Sequence, residues 1–212
     1  MKPFNYSQPT EVLFGAGRIK ETGQLAARYG RKCLLVTGPR SPRREELDQR
    51  VKESMKAAGV SVAQFDGVRP NPTTAQVSAG SRMARDAGAD VILGLGGGSS
   101  MDAAKAIAVE ASHEGTCWDY LFYKKAPSSR TLPILCITTT SGTGSQTTPC
   151  AVITREEDRD KSALWHPNIF AKAAIVDPEL MRTLPAAMTR FAFGDASPIA
   201  GRAQVRLGAR TP

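Results

Sequence analysis

The chain has 212 residues, 41% hydrophobic, 23% charged and 6% aromatic, with 28 lysines and arginines against 20 aspartates and glutamates for a formal net charge of +8. That length builds one sizeable core with at most a small appendage, which excludes a second full domain. Sparse aromatics with no interleaved basic stripe argue against a nucleic-acid partner. Four widely spaced cysteines exclude a zinc ribbon or disulfide framework, and no apolar run nears the length of a membrane span.

Met1-Lys2-Pro3-Phe4-Asn5-Tyr6 has no apolar leader segment, so a cytoplasmic chain without membrane contact is expected. Apolar patterning then predicts a strand at 12–14, a helix over 19–29 and a strand at 33–37. A charged amphipathic helix over 44–58, a strand at 60–65, a helix over 74–87 and a strand at 91–93 follow. Alternation of this kind implies βαβ crossovers and an α/β fold with a Rossmann-like, mostly parallel sheet flanked by helices. Gly30, Gly59 and Gly88 fall just after the three helices, where left-handed caps are expected. Cys33 and Cys136 sit inside apolar strand patterns and read as core.

After the strand at 91–93 comes Gly94-Leu95-Gly96-Gly97-Gly98-Ser99-Ser100, leading into an alanine-rich helix pattern that reaches residue 111. Glycines let a backbone approach an oxyanion, and a helix starting at Ser99 or Ser100 aims its unpaired amides and positive dipole end at the same point. The spacing is neither the dinucleotide G-x-G-x-x-G, since position 99 is serine, nor a Walker A loop. A ligand-free strand-to-helix turn has the same local pattern.

A second loop narrows that choice. The apolar strand at 133–137 runs into Thr138-Thr139-Thr140-Ser141-Gly142-Thr143-Gly144-Ser145-Gln146-Thr147-Thr148, in which eight of eleven residues carry hydroxyls. Hydroxyls beside glycines at a strand's carboxyl end can donate to phosphate or ribose oxygens, where open α/β sheets bind ligands. Short strands at 151–153 and 173–176 are expected on either side of a charge cluster at 155–161.

These runs, GGGSSMDAAKAIA and TTTSGTGSQTT, with the opening Pro9-Thr10-Glu11-Val12-Leu13-Phe14-Gly15-Ala16-Gly17 and the segment Arg69-Pro70-Asn71-Pro72-Thr73, resemble the iron-containing (group III) alcohol dehydrogenases, the dehydroquinate-synthase-like family. The similarity covers about residues 4–188. It implies that residues 1–188 are an NAD(P)-binding α/β domain, with a helical second half of the family supplying metal. The resemblance places cofactor contacts at Gly38, Asn71, Gly97, Gly98 and Ser99, and further ones at Thr139, Thr140, Thr148, Lys161 and Leu180. Lysines are mostly exposed, so Lys161 on its own reads as a solvated charge rather than a contact, and its place among the contacts comes from the resemblance alone.

Gly38 stands where an acidic residue ends the strand in NAD-preferring sites, and Arg40, Arg43 and Arg44 follow closely; this pattern tilts the expectation from NAD toward NADP. Three exposed arginines at a helix start are the alternative. The resemblance also implies Fe2+ or Zn2+, held by an aspartate and a histidine four residues on. Asp195 stands at the aspartate's place, but Ile199 follows where the histidine belongs, and no histidine lies beyond His166. The site is therefore read as incomplete, with no catalytic residue assigned and His113 and His166 taken as surface or loop residues.

Residues 189–212 form an Arg-, Ala- and Gly-rich tail with four arginines against one aspartate, read as a truncation or frameshift of the family pattern after about residue 189. The expected activity is the cofactor-binding portion of an NAD(P)- and metal-dependent alcohol dehydrogenase acting on a small alcohol or aldehyde, with a homo-oligomer allowed. The alternatives are a catalytically inactive nucleotide-binding fragment and maleylacetate reductase-like chemistry.

Overall fold

The computed structural model describes residues 7–182, 184–187 and 189–190. Six strands form one wholly parallel sheet in the order β1-β8-β5-β4-β2-β3: β1 Glu11–Phe14, β2 Lys32–Thr37, β3 Ser61–Phe65, β4 Val91–Gly96, β5 Ile134–Thr138 and β8 Ala173–Val176. The helices α1 Thr22–Ala27, α2 Pro42–Ala57, α3 Thr74–Asp86 and α4 Gly98–Ser112 cover its two faces, as the α/β expectation requires.

Strand periodicity sorts the core into two layers. Leu34, Val36, Ile92, Ile134 and Cys136 pack with Val77, Ala84 and the α4 residues Met101 to Val109, while Cys33, Leu35, Leu93, Leu95 and Ile137 pack with Leu25, Ala26, Val51 and Met55. Successive strand residues point to opposite faces, so a strand covered on both sides reads as a continuous apolar run. α4 lies very close to β4, because a Cβ on Gly94 would stand 2.9 Å from Ala104 Cβ and 3.1 Å from Met101 Cα. After β2 the chain moves outward to β3 and then returns to the other side of β2 as β4. The carboxyl ends of β2 and β4 therefore flank the point where the strand order reverses, the crevice in which open α/β sheets take ligands.

Four local expectations are corrected. The helix over 19–29 is split into a 3₁₀ turn Arg18–Glu21 and the short α1. Gly59 and Gly88 have left-handed φ of 71° and 59°, but Gly30 does not. Gly30 is needed instead for close approach, since a Cβ there would meet the Asp90 carboxylate at 2.0 Å, which accepts the Arg31 and Lys32 amides. The α4 helix starts at Gly98, a residue before the expected serines. Finally, the charge cluster at 155–161 is the tip of an antiparallel hairpin, β6 Cys150–Arg155 with β7 Asp160–Trp165. Its second strand begins with charged, exposed residues, and only Ser162 and Leu164 are buried, a pattern too sparse to show in sequence.

Candidate functional site

The glycine turn closes β4 onto α4. Gly96 has φ of 147°, a conformation that a side chain resists, and its would-be Cβ stands within 3.0 Å of the Ser100 and Arg44 side chains. Gly97 caps α4 in extended backbone without any side-chain acceptor on the first-turn amides. The α4 amino end thus presents unsatisfied N–H groups and the positive end of the helix dipole.

The Thr-rich loop is laid directly over this turn. The Thr139 amide donates to Gly96 O at 2.9 Å, Thr140 lies 3.5 Å from where a Cβ of Gly97 would stand, and Thr143 lies 3.1–3.4 Å from that of Gly98. Residues 43 to 45 positions apart in the chain therefore line one concavity, and Ser99 is half-buried beside it. The Thr140 and Thr143 hydroxyls stand beside a helix terminus that lacks a side-chain cap, the combination an anionic ligand satisfies.

Two further expected positions meet each other. Lys161, on β7, donates to Asn71 Oδ1 at 2.7 Å, and Asn71 takes a left-handed φ of 57° in the loop after β3. The hairpin is tied to that loop by the Thr154 amide, which donates to Pro72 O at 2.8 Å. Lys161 is thus fixed by a partner 90 residues away, and its charge reaches Asp102 on α4, where burial raises the carboxyl's pKa and Lys161 opposes that rise only slightly.

Gly38 lies at the end of β2 beside Arg44. The arginines are not equivalent. Arg40 is exposed and paired with Asp66 at 2.5 Å. Arg44 has a side chain only 15% exposed, donates to Leu95 O at 2.8 Å and stands 3.8 Å from Asp48 Oδ1. Burial lowers the Arg44 pKa, against the pull of Asp48, and burial likewise raises that of Asp48. Arg44 is therefore part of the glycine turn and not an exposed helix start.

Leu180 is placed differently from the other expected contacts. It is buried on the α1–α2 face and lines a cleft of about 720 Å³ with Glu46, Arg50, Arg182 and Leu184, to which neither loop contributes a residue. Thr148 belongs to the loop's far end, where its carbonyl accepts from Lys105.

Lys105 and Asp102 lie within the GGGSSMDAAKAIA run, and the structure gives them a role. They stand one turn apart on α4, and Lys105 is completely buried, donating to the carbonyls of Ser145, Thr148 and Cys150. Asp102 accepts from Ser145 Oγ at 2.7 Å and from the Val152 amide at 3.1 Å. Burial pushes Lys105 down and Asp102 up from their ordinary values, each being held back in part by the other's charge. A pair of opposite charges inside the otherwise uncharged stretch 98–109 was the available signal.

The metal expectation falls elsewhere. Asp195 and Ile199 lie outside the described residues. Among the described residues no three His, Cys, Asp or Glu side chains gather as a metal site. The histidines serve the backbone: His113 Nε2 accepts from the Ser128 amide at 2.9 Å, its Nδ1 lies 2.9 Å from Val109 O, and His166 Nδ1 accepts from the Asn168 amide at 3.1 Å. The described donor set thus does not fit a metal ion. No helix among these residues is long and apolar enough to cross a membrane.

A family model for iron-containing alcohol dehydrogenase matches residues 9–178. The chain belongs to this family. Among curated relatives of this iron-containing alcohol dehydrogenase family, it is 43% identical over 191 residues to a choline dehydrogenase of Bacillus subtilis, covering 89% of this chain and 47% of that protein. It is 34% identical over 197 residues to NADH-dependent butanol dehydrogenase A of Clostridium acetobutylicum, covering 92% and 50%. The crystal structure of an archaeal halo-thermophilic Red Sea brine pool alcohol dehydrogenase superposes with a TM-score of 0.87 at 34% identity, covering 92% of this chain and 51% of that one. The chain thus spans about half the length of the curated relatives it matches.

Proposed function

We propose that this chain is the nucleotide-binding portion of an NAD(P)-dependent alcohol dehydrogenase, with a small alcohol or aldehyde as substrate. The observation that carries this reading is the seating of the Thr-rich loop over the uncapped start of α4, with the Thr139 amide on Gly96 O. In it, the backbone amides of Gly97, Gly98 and Ser99 hold the pyrophosphate, Thr139 and Thr140 hold ribose or phosphate oxygens, and Lys161, steadied by Asn71, holds a ribose hydroxyl or phosphate. When bound, the nicotinamide supplies hydride exchange with the alcohol carbon. This chain's own part is to bind and orient that ring by anchoring the other end of the dinucleotide.

NADP is favoured over NAD within this reading. Gly38 offers no carboxylate to a ribose 2′-hydroxyl, and the Arg44 guanidinium stands beside it. The support for metal dependence is the family itself; the described residues supply no donor set for it, and no step is assigned to a metal here. Neither nucleic acid nor membrane belongs to the proposal, and a homo-oligomer is compatible with it. Titration of NADPH and NADH against the chain by cofactor fluorescence tests it. Binding of NADPH at least as tight as NADH is expected; failure of both to bind removes the nucleotide reading, and a clear preference for NADH removes the NADP part alone.

The second reading is a nucleotide-binding module without catalysis. It is favoured by described residues that gather around the cradle while both histidines are committed to backbone contacts.

A further inference from the structure

Among the described residues Lys105 is the lysine with no exposed surface, and burying an ammonium is unfavourable unless its protons all find acceptors. Here they do. The Nζ donates to Ser145 O at 2.7 Å, Cys150 O at 2.7 Å, Thr148 O at 2.9 Å and Ser145 Oγ at 3.0 Å. Three backbone carbonyls and a hydroxyl are thereby turned toward one cation, and all belong to the segment leading from the Thr-rich loop into β6. Ser145 Oγ in turn donates to Asp102 Oδ1, while Asp102 Oδ2 takes the Val152 amide. Both charged residues project from α4, whose first turn is the cradle itself.

An apolar side chain is easier to bury than this pair, so stability alone gives no reason for a lysine here. With every acceptor a protein oxygen, no part of the ammonium is left to meet a nucleotide. We propose that Lys105, acting with Asp102 through Ser145, is a positioning residue that fixes the backbone of residues 145–150 and thereby holds Thr139, Thr140 and Thr148 at the distance from the α4 amino end that a nucleotide requires. The inference rests on the nucleotide reading above. It adds to it a residue that governs cofactor affinity without touching the cofactor.

The test is a titration of NADPH against the 212-residue chain and its variants, each paired with a melting curve. Wild-type binding is established first; if the wild-type chain binds neither NADPH nor NADH, the nucleotide reading fails and this inference with it. Lys105→Met, folded at the assay temperature, is expected to bind NADPH about tenfold or more weakly, the equivalent of one misplaced charge-assisted hydrogen bond. Lys105→Ala is expected to regain affinity on addition of propylammonium chloride and not of sodium chloride, a response that a purely bulk packing role does not give. Ser145→Ala, which keeps the buried charge, is expected to weaken binding several-fold, and adding it to Lys105→Met is expected to cost nothing further because both act through one loop. A folded Lys105→Met with wild-type affinity overturns the proposal, and so do fully additive losses in the double variant. If neither lysine variant folds, Ser145→Ala and Asp102→Asn decide: weaker binding at an unchanged melting temperature supports it, and unchanged affinity in both overturns it.

Discussion

Gly98→Val separates a phosphate cradle from a simple turn. Gly98 is the first residue of α4 and its φ is not in the left-handed region, so valine adopts the backbone without strain. The three atoms nearest a Cβ there all belong to the Thr143 side chain, at 3.1 Å to its methyl carbon and 3.2 Å to its hydroxyl, and that side chain can shift by the few tenths of an ångström required. Replacing glycine in a helix gains about 0.5–1 kcal/mol of backbone entropy, which offsets the crowding, so the net change in stability is expected to stay within about 1 kcal/mol. The nucleotide suffers far more. Valine methyls fill the approach to the first amides of α4, and loss of two charge-assisted hydrogen bonds at about 1.5 kcal/mol each is about 3 kcal/mol, roughly a hundredfold in Kd. The assay is NADPH titration by fluorescence beside a thermal melt. A folded variant whose affinity matches the wild type refutes the cradle and leaves the glycines as a turn.

Gly94→Val is expected to act oppositely, lowering stability by about 1–3 kcal/mol or more through overpacking, because its Cβ meets Ala104 Cβ, Met101 Cα and Ser100 O, which are helix atoms that cannot swing away; chemical denaturation measures it, and an unchanged midpoint refutes the close α4–β4 contact. The Thr116 amide holds the Asp119 carboxyl below its ordinary value of 3.8. A depressed folded pKa stabilises above the unfolded value and is lost as pH falls through the folded one, so wild type is expected to lose its advantage over Asp119→Asn below about pH 4; parallel acid titrations for the two check this. With Fe2+ or Zn2+, either cofactor and short primary alcohols, no turnover above the metal-free blank is expected from this chain, because its two histidines are committed to backbone contacts. Loss of that Lewis acid is worth several kcal/mol, or roughly a thousandfold in rate. Cofactor absorbance reads the outcome, and turnover abolished by Asp195→Ala shows that a working metal site does form.

Sequence by itself determined the elements whose cause is local. Short apolar runs and helical patterning placed the strands through β5 and the helices between them, since a buried strand or an amphipathic helix shows its apolar residues whatever its neighbours are. The glycine turn and the Thr-rich loop were legible for the same reason: unusual residue types at strand ends advertise backbone exposure and hydrogen-bonding capacity without any knowledge of what lies opposite. Strand β7 was not legible, because its charges belong to a hairpin tip and its two inward residues find cover only once the 3₁₀ helix Cys117–Tyr123 is in place. Long-range pairing decided the rest. That Lys161 meets Asn71, that Arg44 rather than Arg40 joins the glycine turn, and that Lys105 is buried under three carbonyls all depend on sheet order, which brings the ends of β2, β4 and β5 side by side. Such contacts join residues from 40 to 90 positions apart, and a charge's role is set by the desolvation and partners that only this packing creates.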